Sequence, residues 1–216
     1  MKKHLITLLT LISFSTISFA QEKGAFEMGV NFGLNVAKVT TPDSYSYYNN
    51  DGVGYKTGVN FGISGEYYFS KKWGIKAKIV YDQKGWNNGY VTDQNQNRYI
   101  TNFKLNYITI PIMANWHFGR TNNWYLNFGP YLGFLASASE STFGSDVKSN
   151  FTSTDGGLAL GIGVKIPVTD NMKFFAEYQA QAGIANIFTG AAAQSNPTAT
   201  NASYGLNVGL VFNLDK

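Results

Sequence analysis

Residues 106–119 read NYITIPIMANWHFG. Apolar side chains occupy every second position from 108 to 118, namely Ile108, Ile110, Ile112, Ala114, Trp116 and Phe118. A period of two residues predicts a β-strand. Pro111 lies in the middle of this strand, where it removes one backbone donor from the ladder. We therefore expect one unpaired ladder position there, with the proline ring on the polar face.

The same period recurs along almost the whole chain. Apolar residues alternate with polar ones or glycine in eight runs, at 26–36, 55–69, 73–81, 108–118, 124–136, 158–168, 174–184 and 204–214. Each run is long enough for the roughly 9–11 residues that a tilted strand needs to cross a bilayer.

Phe103, Leu105 and Tyr107 are apolar on the opposite parity of the fourth run. Either that strand rises past the membrane with these three turned inward, which we favour, or a bulge reverses its phase.

The connections between the runs alternate in length. Short links lie at 70–72, 119–123 and 169–172, and long polar ones lie near 40–53, 85–98, 138–156 and 185–202. This pattern predicts an all-β fold, an eight-stranded antiparallel up-and-down transmembrane β-barrel with short periplasmic turns and longer extracellular loops.

Charge placement indicates which face of the strands meets lipid. The apolar faces carry no Asp, Glu, Lys or Arg, and a lysine at the bilayer midplane on that face would cost roughly 2–4 kcal/mol. Aromatic residues gather beside the short turns, as expected for a periplasmic girdle. The predicted girdle consists of Trp73, Trp116, Phe118, Trp124, Phe174 and Phe212. A soluble up-and-down barrel with its apolar side chains inside has the same period, but the girdle, the strand length and the glycines on the polar face disfavour it.

The N-terminus has the features of a secretory signal peptide. Lys2 and Lys3 precede an apolar stretch, and the small residues Ser18 and Ala20 flank Phe19 at a cleavage site. We expect a signal peptide at 1–20 and a barrel domain at 21–216.

The chain has 17 basic and 13 acidic residues, and two of the basic ones lie in the predicted signal peptide. The net charge of the rest of the chain is therefore close to neutral, which does not suggest nucleic acid as a partner. Zero cysteine excludes disulfides and thiol catalysis.

The segment from Tyr107-Ile108-Thr109-Ile110-Pro111-Ile112 to Trp116-His117-Phe118-Gly119 resembles the signature of the PorT-like outer-membrane β-barrel family. The stretches GVNFGLNVAKV and GLNVGLVFNL are similar to its first and last strands, so the resemblance spans roughly residues 24–214. It implies an eight-stranded barrel integral to the outer membrane. One namesake in the family serves a protein-secretion and gliding apparatus. This chain departs from the usual terminal aromatic, because Phe212 lies four residues before its end.

The polar faces supply the predicted lumen. Eight strands leave room only for their own side chains, and the expected lumen network is Lys56, Glu66, Lys76, Lys78, Lys165 and Glu177. A packed plug of compensated charges is the expectation, and a narrow ion path or gate is the alternative. His117 is the one histidine outside the signal and points inward, where we expect a structural role. With one histidine and no cysteine, we expect no catalytic residue, metal or cofactor.

Aromatic residues in the loops are candidates for recognition. Tyr45, Tyr47 and Tyr48 lie in the first long loop, and Trp86 and Tyr90 lie in the second. Tyrosine and tryptophan among Asn and Ser are typical of recognition surfaces, although they equally suit an outer aromatic belt.

Two functions remain open at this point. The first is a monomeric barrel in envelope structure or adhesion, in contact with outer-membrane lipid and an extracellular ligand, and with the barrel assembly machinery during biogenesis. The second, implied by the resemblance, is an accessory of a secretion complex. The residue inventory disfavours a membrane-embedded lipid enzyme.

Overall fold

A computed structural model of the protein describes residues 23–40, 53–190, 193 and 198–214. The predicted signal peptide and Tyr45, Tyr47 and Tyr48 lie outside these residues. Eight antiparallel strands, each hydrogen-bonded to the next and the last to the first, close into a barrel. The strands are β1 (Phe26–Thr40), β2 (Gly54–Tyr68), β3 (Trp73–Thr92), β4 (Arg98–Phe118), β5 (Trp124–Glu140), β6 (Thr154–Pro167), β7 (Met172–Gly183) and β8 (Thr200–Asn213). The predicted fold is confirmed.

The alternation of side chains divides the barrel into two faces. Large apolar side chains such as Leu132, Leu158 and Leu206 are exposed on the outside, and Leu206 is 65% exposed. Lysine, glutamate, asparagine and tyrosine side chains from the intervening positions are buried in the lumen. A water-soluble barrel would have the reverse arrangement, because exposed apolar surface is unfavourable in water and favourable in lipid.

The strand that contains Pro111 behaves as its sequence predicts. The proline is buried on the inner face and pairs with Tyr131 of β5. On the β3 side the ladder breaks between Ala77↔Ile112 and Val80↔Thr109 and then resumes in the same register. A missing N–H at Pro111 accounts for this gap, because proline has no donor for the ladder.

The upper half of β4 also confirms the favoured interpretation. Phe103, Leu105 and Tyr107 are all buried, so β4 keeps its phase while it rises past the apolar outer face. A register shift occurs instead on the neighbouring strand, where β5 has an extra residue at Ala136 opposite Asn106 and Tyr107. The bulge changes which face the following residues of β5 present.

One predicted boundary is wrong. The sequence suggested a long loop near 85–98, but β3 continues to Thr92 and β4 begins at Arg98. The two strands form a hairpin with a tight turn in which Asp93 accepts hydrogen bonds from the backbone N–H groups of Asn95 and Asn97, both at 2.8 Å. The barrel wall is therefore tallest at β3 and β4, which have 20 and 21 residues.

Candidate functional site

Lys165 is the centre of the charged network at the short-turn end of the lumen. Its Nζ lies 2.5 Å from Oε2 of Glu27, 2.8 Å from Oε2 of Glu66 and 2.7 Å from the hydroxyl of Tyr68. The Tyr68 hydroxyl donates in turn to Glu27 at 2.9 Å. Lys173 lies 2.6 Å from the other oxygen of Glu27. Residues from β1, β2, β6 and β7 thus meet across the barrel axis.

Glu66 connects this network to the predicted interior histidine. Oε1 of Glu66 lies 2.7 Å from Nε2 of His117 and accepts a hydrogen bond of 2.7 Å from the side chain of Asn115. Nδ1 of His117 lies 3.3 Å from the backbone oxygen of Asn122, in the turn between β4 and β5. His117 is fully buried between the two strand ends. These contacts fix the ring from both sides, as expected for a structural residue.

Glu177 organises a second group of charges beside the first. Its carboxylate forms ion pairs with Lys78 and, at 3.1 Å, with Lys76. It also accepts hydrogen bonds from the Tyr125 hydroxyl at 3.0 Å and from the Asn127 side chain at 2.9 Å. One carboxylate therefore compensates two ammonium groups, which would be costly to bury without partners.

Lys84 is the centre of a third group, nearer the long loops. Its Nζ lies 3.7 Å from Asp82, 3.5 Å from Asp155 and 2.8 Å from the side-chain oxygen of Gln181. Asp155 also accepts hydrogen bonds from the Tyr131 hydroxyl at 3.2 Å. Between this group and the others lies a polar cavity of about 20 Å³ lined by asparagine and glutamine side chains. That volume holds one or two water molecules.

The structure brings together five of the six residues predicted for the lumen. Glu66 and Lys165 share one network, and Lys76, Lys78 and Glu177 share another. Lys56 lies apart, and it makes no hydrogen bond or ion pair with any residue that the structure describes. The sequence prediction omitted Glu27, Asp82, Lys84 and Asp155. The strand period could have identified Glu27 within the first run, and Asp82 and Lys84 just after the third, because all three lie on the polar parity, whereas Asp155 lies in a predicted loop.

An aromatic and aliphatic cluster closes the lumen at the long-loop end. Trp86 stacks on Phe103 with ring centroids 4.6 Å apart, and Phe151 from the β5–β6 loop contacts Trp86 edge-on at 5.9 Å. Ile187 and Phe188 of the β7–β8 connection pack against the same residues. We call Trp86, Phe103, Phe151, Ile187 and Phe188 the mouth cluster.

The mouth cluster corrects the prediction for Trp86. We expected this residue in a long loop, either for recognition or in an outer aromatic belt, but it belongs to β3 and only 2% of its surface is exposed. Its indole fills the barrel mouth, because β3 extends beyond the apolar band and turns this position inward. Tyr90 lies further up the same strand, with the guanidinium carbon of Arg98 at 4.3 Å from its ring centroid.

The residues predicted for the girdle lie at the short-turn end. Trp73 pairs with Trp116 across β3 and β4, with ring centroids 6.2 Å apart, and Trp116 stacks on Phe118 at 5.0 Å. Trp124, Phe174 and Phe212 are exposed on neighbouring strands. The arrangement fits a belt of amphipathic rings at a membrane–water boundary.

The loops at the opposite end are held by acidic residues that accept backbone hydrogen bonds. Glu140 accepts from the N–H groups of Thr142, Phe143 and Ser145 and from the hydroxyl of Thr101. Burial raises the pKa of Glu140, but these hydrogen bonds lower it more, so the net pKa lies below its usual value. The start of the β5–β6 loop is thus attached to the top of β4.

No helix within the described residues is long and apolar enough to cross a membrane. Within the same part of the chain, no group of three or more His, Asp or Glu side chains is arranged to hold a metal ion.

The chain matches an outer-membrane family in sequence and outer-membrane proteins in structure. The family described as "Outer membrane protein beta-barrel domain" matches residues 19–189. No curated protein matches the sequence. The structure is similar to the outer membrane protein OprG from Pseudomonas aeruginosa, with a TM-score of 0.54, 14% identity and coverage of 91% of this chain and 99% of that one.

Two further solved structures have the same fold. Neisserial surface protein A has a TM-score of 0.51 and 21% identity, with 88% of this chain and 99% of that chain covered. The outer membrane protein AlkL has a TM-score of 0.50 and 11% identity, with 93% and 95% covered. At such low identity the likeness shows the fold alone.

Proposed function

The chain belongs to the family of outer membrane protein beta-barrel domains, and on that premise we propose that it recognises a partner at the cell surface through the outer end of β3, β4 and the β5–β6 loop. It is an integral outer-membrane protein, and in such barrels the short turns face the periplasm and the long loops face outward. The exposed apolar surface at that outer end carries the proposal.

The packed lumen supports an interaction role over transport. Three charged networks lie inside the barrel and the mouth cluster lies at its long-loop end, and the polar cavity beside them has room for one or two waters. Passage of a hydrated ion would require several buried ion pairs to separate, each in a low-dielectric interior. The proposal therefore places activity on the outer surface and assigns no catalytic residue.

The outer end of the barrel has an exposed apolar patch. Ile100 is 57% exposed, Phe143 is 56% exposed, and Tyr99 contacts Phe143 edge-on with ring centroids 5.2 Å apart. The hydroxyl of Thr142 donates to the backbone oxygen of Ile100 at 2.9 Å, which fastens the loop to the strand. Preorganised aromatic side chains suit recognition, because little conformational entropy is lost when they bind. We call Tyr99, Ile100 and Phe143 the outer patch.

Adhesion by intact cells tests the proposal. A non-adherent Gram-negative strain that displays the protein is compared with one that displays the variant Tyr99→Ser, Ile100→Ser and Phe143→Ser, on surfaces coated with extracellular matrix proteins. We expect adhesion with the native protein and at least a ten-fold loss with the variant. A control variant with Lys71→Ser, Lys72→Ser and Arg120→Ser at the periplasmic end should adhere normally. Equal adhesion by native and outer-patch variants would exclude a recognition role for this patch on these surfaces.

A second candidate is an accessory role in a protein-secretion apparatus, favoured by the PorT-like motif at 107–119. Part of that motif also serves the lumen, because the Tyr107 hydroxyl is buried and accepts a hydrogen bond from Asn201 at 3.3 Å. Gene deletion followed by quantification of secreted cargo separates the two roles. Normal secretion in the deletion strain would exclude the accessory role, whereas loss of secretion with unchanged adhesion would favour it.

A further inference from the structure

Three cationic side chains are exposed on two of the short turns. Lys71 and Lys72 lie between β2 and β3, and Arg120 lies between β4 and β5. None of the three side chains forms an ion pair or a hydrogen bond within the described part of the chain. The two turns therefore present positive charge that the described residues leave uncompensated.

The two turns adjoin one another. The backbone N–H of His117, near the end of β4, donates to the carbonyl oxygen of Lys72 at 2.7 Å. Trp73, which follows Lys72, pairs with Trp116 across β3 and β4. Arg120 lies three residues after His117. The cations thus lie at the ends of neighbouring strands, on one part of the periplasmic rim of the barrel.

The carboxylates inside this end of the lumen already have partners. Glu27 is paired with Lys165 and Lys173, and Glu66 is paired with Lys165. Asp170 is exposed on the β6–β7 turn and forms no ion pair with any described residue. The segments 70–72 and 119–123 read SKK and GRTNN, without Asp or Glu. Their positive charge is therefore available to an anion from outside the chain.

Aromatic rings place these cations at the membrane boundary. Trp73 and Trp116 of the girdle stack with ring centroids 6.2 Å apart, and each is 38% exposed on the outer face. Such rings lie at the headgroup level of a bilayer. Lys72 directly precedes Trp73, and Arg120 follows Phe118 of the same girdle by two residues. Long cationic side chains at this level reach lipid phosphates while their aliphatic stems stay against apolar surface.

We propose that Lys71, Lys72 and Arg120 bind the phosphate of an anionic phospholipid in the periplasmic leaflet. We call these three residues the basic rim. A lipid is favoured over a soluble acidic protein because the cations lie directly beside lipid-facing rings, on turns too short to carry them away from the membrane. Arginine binds two phosphate oxygens at once, and each lysine adds a point charge. The inference rests on the membrane location of the barrel and is independent of the outer patch, which lies at the opposite end.

Tryptophan fluorescence reads the lipids at this end of the barrel selectively. Trp73, Trp116 and Trp124 are exposed there, whereas Trp86 is buried in the mouth cluster. The purified protein is refolded into phosphatidylcholine vesicles that contain a small fraction of either brominated phosphatidylglycerol or brominated phosphatidylcholine, each with bromine high on the acyl chains. Quenching as a function of that fraction gives the relative affinity for the anionic headgroup. Both leaflets have the same composition, so the direction of insertion does not affect the result.

We expect the native protein to favour phosphatidylglycerol by about five-fold or more, because each cation near an anionic surface contributes about that factor. The variant Lys71→Gln, Lys72→Gln and Arg120→Gln should favour neither lipid. High salt should weaken the preference of the native protein, since it screens exposed charges.

A matched variant and a soluble anion make the result specific. Lys38→Gln, Lys104→Gln and Lys148→Gln remove three positive charges at the long-loop end and should keep the native preference. Heat-modifiable gel migration verifies that each variant folds. Equal quenching of the native protein by the two lipids, a preference retained in the basic-rim variant, or an equal loss in the control variant would overturn the proposal. Displacement of the lipid by inorganic phosphate at constant ionic strength would overturn the assignment to a lipid.

Discussion

The Nζ of Lys165 lies 2.5 Å from Oε2 of Glu27, although 138 residues separate them in the sequence. The pair connects β6 to β1 across the lumen, and Glu66 and Tyr68 of β2 join the same ammonium group. Neither member is more than 2% exposed. The closure of the barrel and the placement of charge inside it are therefore coupled.

Replacement of Lys165 should strongly destabilise the barrel. Lys165→Met leaves Glu27 and Glu66 buried with part of their compensation removed, and breaking a buried ion pair costs about 3–5 kcal/mol. Urea unfolding in lipid vesicles, followed by tryptophan fluorescence, measures the change. Lys71→Met, at an exposed turn, should change the free energy of unfolding little. Addition of Glu66→Gln to Lys165→Met should restore part of the loss, and no restoration would contradict the pairing.

Replacement of Trp86 tests the mouth cluster. Trp86→Ala removes a buried ring that contacts Phe103 and Phe151, and such truncations cost about 3–5 kcal/mol. Trp124→Ala, at an exposed position on the outer face, should cost less.

In planar bilayers we expect neither the native protein nor Trp86→Ala to conduct. The ion pairs that Glu177 and Lys84 each form with other residues remain in the lumen of both proteins. Stable single-channel currents from the native protein would contradict a packed lumen.

The strands were predictable because one physical rule applies along the whole chain. In a membrane barrel every second residue meets lipid, so the period of two and the absence of charge on one parity are visible in any single strand, including Ile108–Phe118. The interior charges were predictable as a class for the same reason. Their partners were not, since Glu27 and Lys165 come together only when the barrel closes.

The upper ends of the strands were less predictable. The segment around Trp86 reads GWNNGYV, and its glycines and asparagines are typical of loops. It is nevertheless a strand, because it pairs with β4 and buries its tryptophan in the mouth cluster. Lys56 keeps its predicted inner parity, because it pairs with the buried Ala37 of β1. Parity does not give its contacts, and the ladder to β3 shifts register between Tyr55 and Asn60.

Glycine at 209 is required by close packing of strands. A Cβ at this position would lie 2.6 Å from Cε1 of Phe175 and would also overlap the backbone oxygen of Val30. Gly209→Ala should therefore destabilise the barrel by about 1–3 kcal/mol, as overpacking does. Gly156→Ala is the matched control, because the closest atom to its Cβ would be the backbone oxygen of Tyr131 at 3.6 Å. Equal urea midpoints for the two variants would contradict this packing.

The β3–β4 turn should lose its order only in acid. The side chain of Asn97 donates to Asp93 and is the main cause that lowers the pKa of Asp93 below its ordinary value. The backbone N–H groups of Asn95 and Asn97 and the Tyr99 hydroxyl lower this pKa further. A carboxyl with a lowered folded pKa stabilises its turn above the unfolded pKa and loses that effect as pH falls through the folded value. Amide protection of Asn95 and Asn97 by NMR should thus hold at neutral pH and fall only in acid, below the ordinary pKa of an aspartate. Asp93→Asn should abolish this pH dependence, and protection lost already at pH 6 would contradict it.

The four tryptophans should report two different environments. Trp73, Trp116 and Trp124 lie on the outer face at the short-turn end, where rings meet lipid headgroups, whereas Trp86 lies inside the mouth cluster. Four variants that each keep one tryptophan, with the others replaced by phenylalanine, are refolded into vesicles of brominated lipids. Bromine placed near the headgroup should quench the three girdle residues more than bromine deep in the acyl chains, because quenching requires contact. Trp86 should resist both lipids, since the barrel wall shields it. The apolar band would be placed wrongly if either lipid quenched Trp86 strongly, or if bromine deep in the acyl chains quenched Trp116 more than bromine near the headgroup.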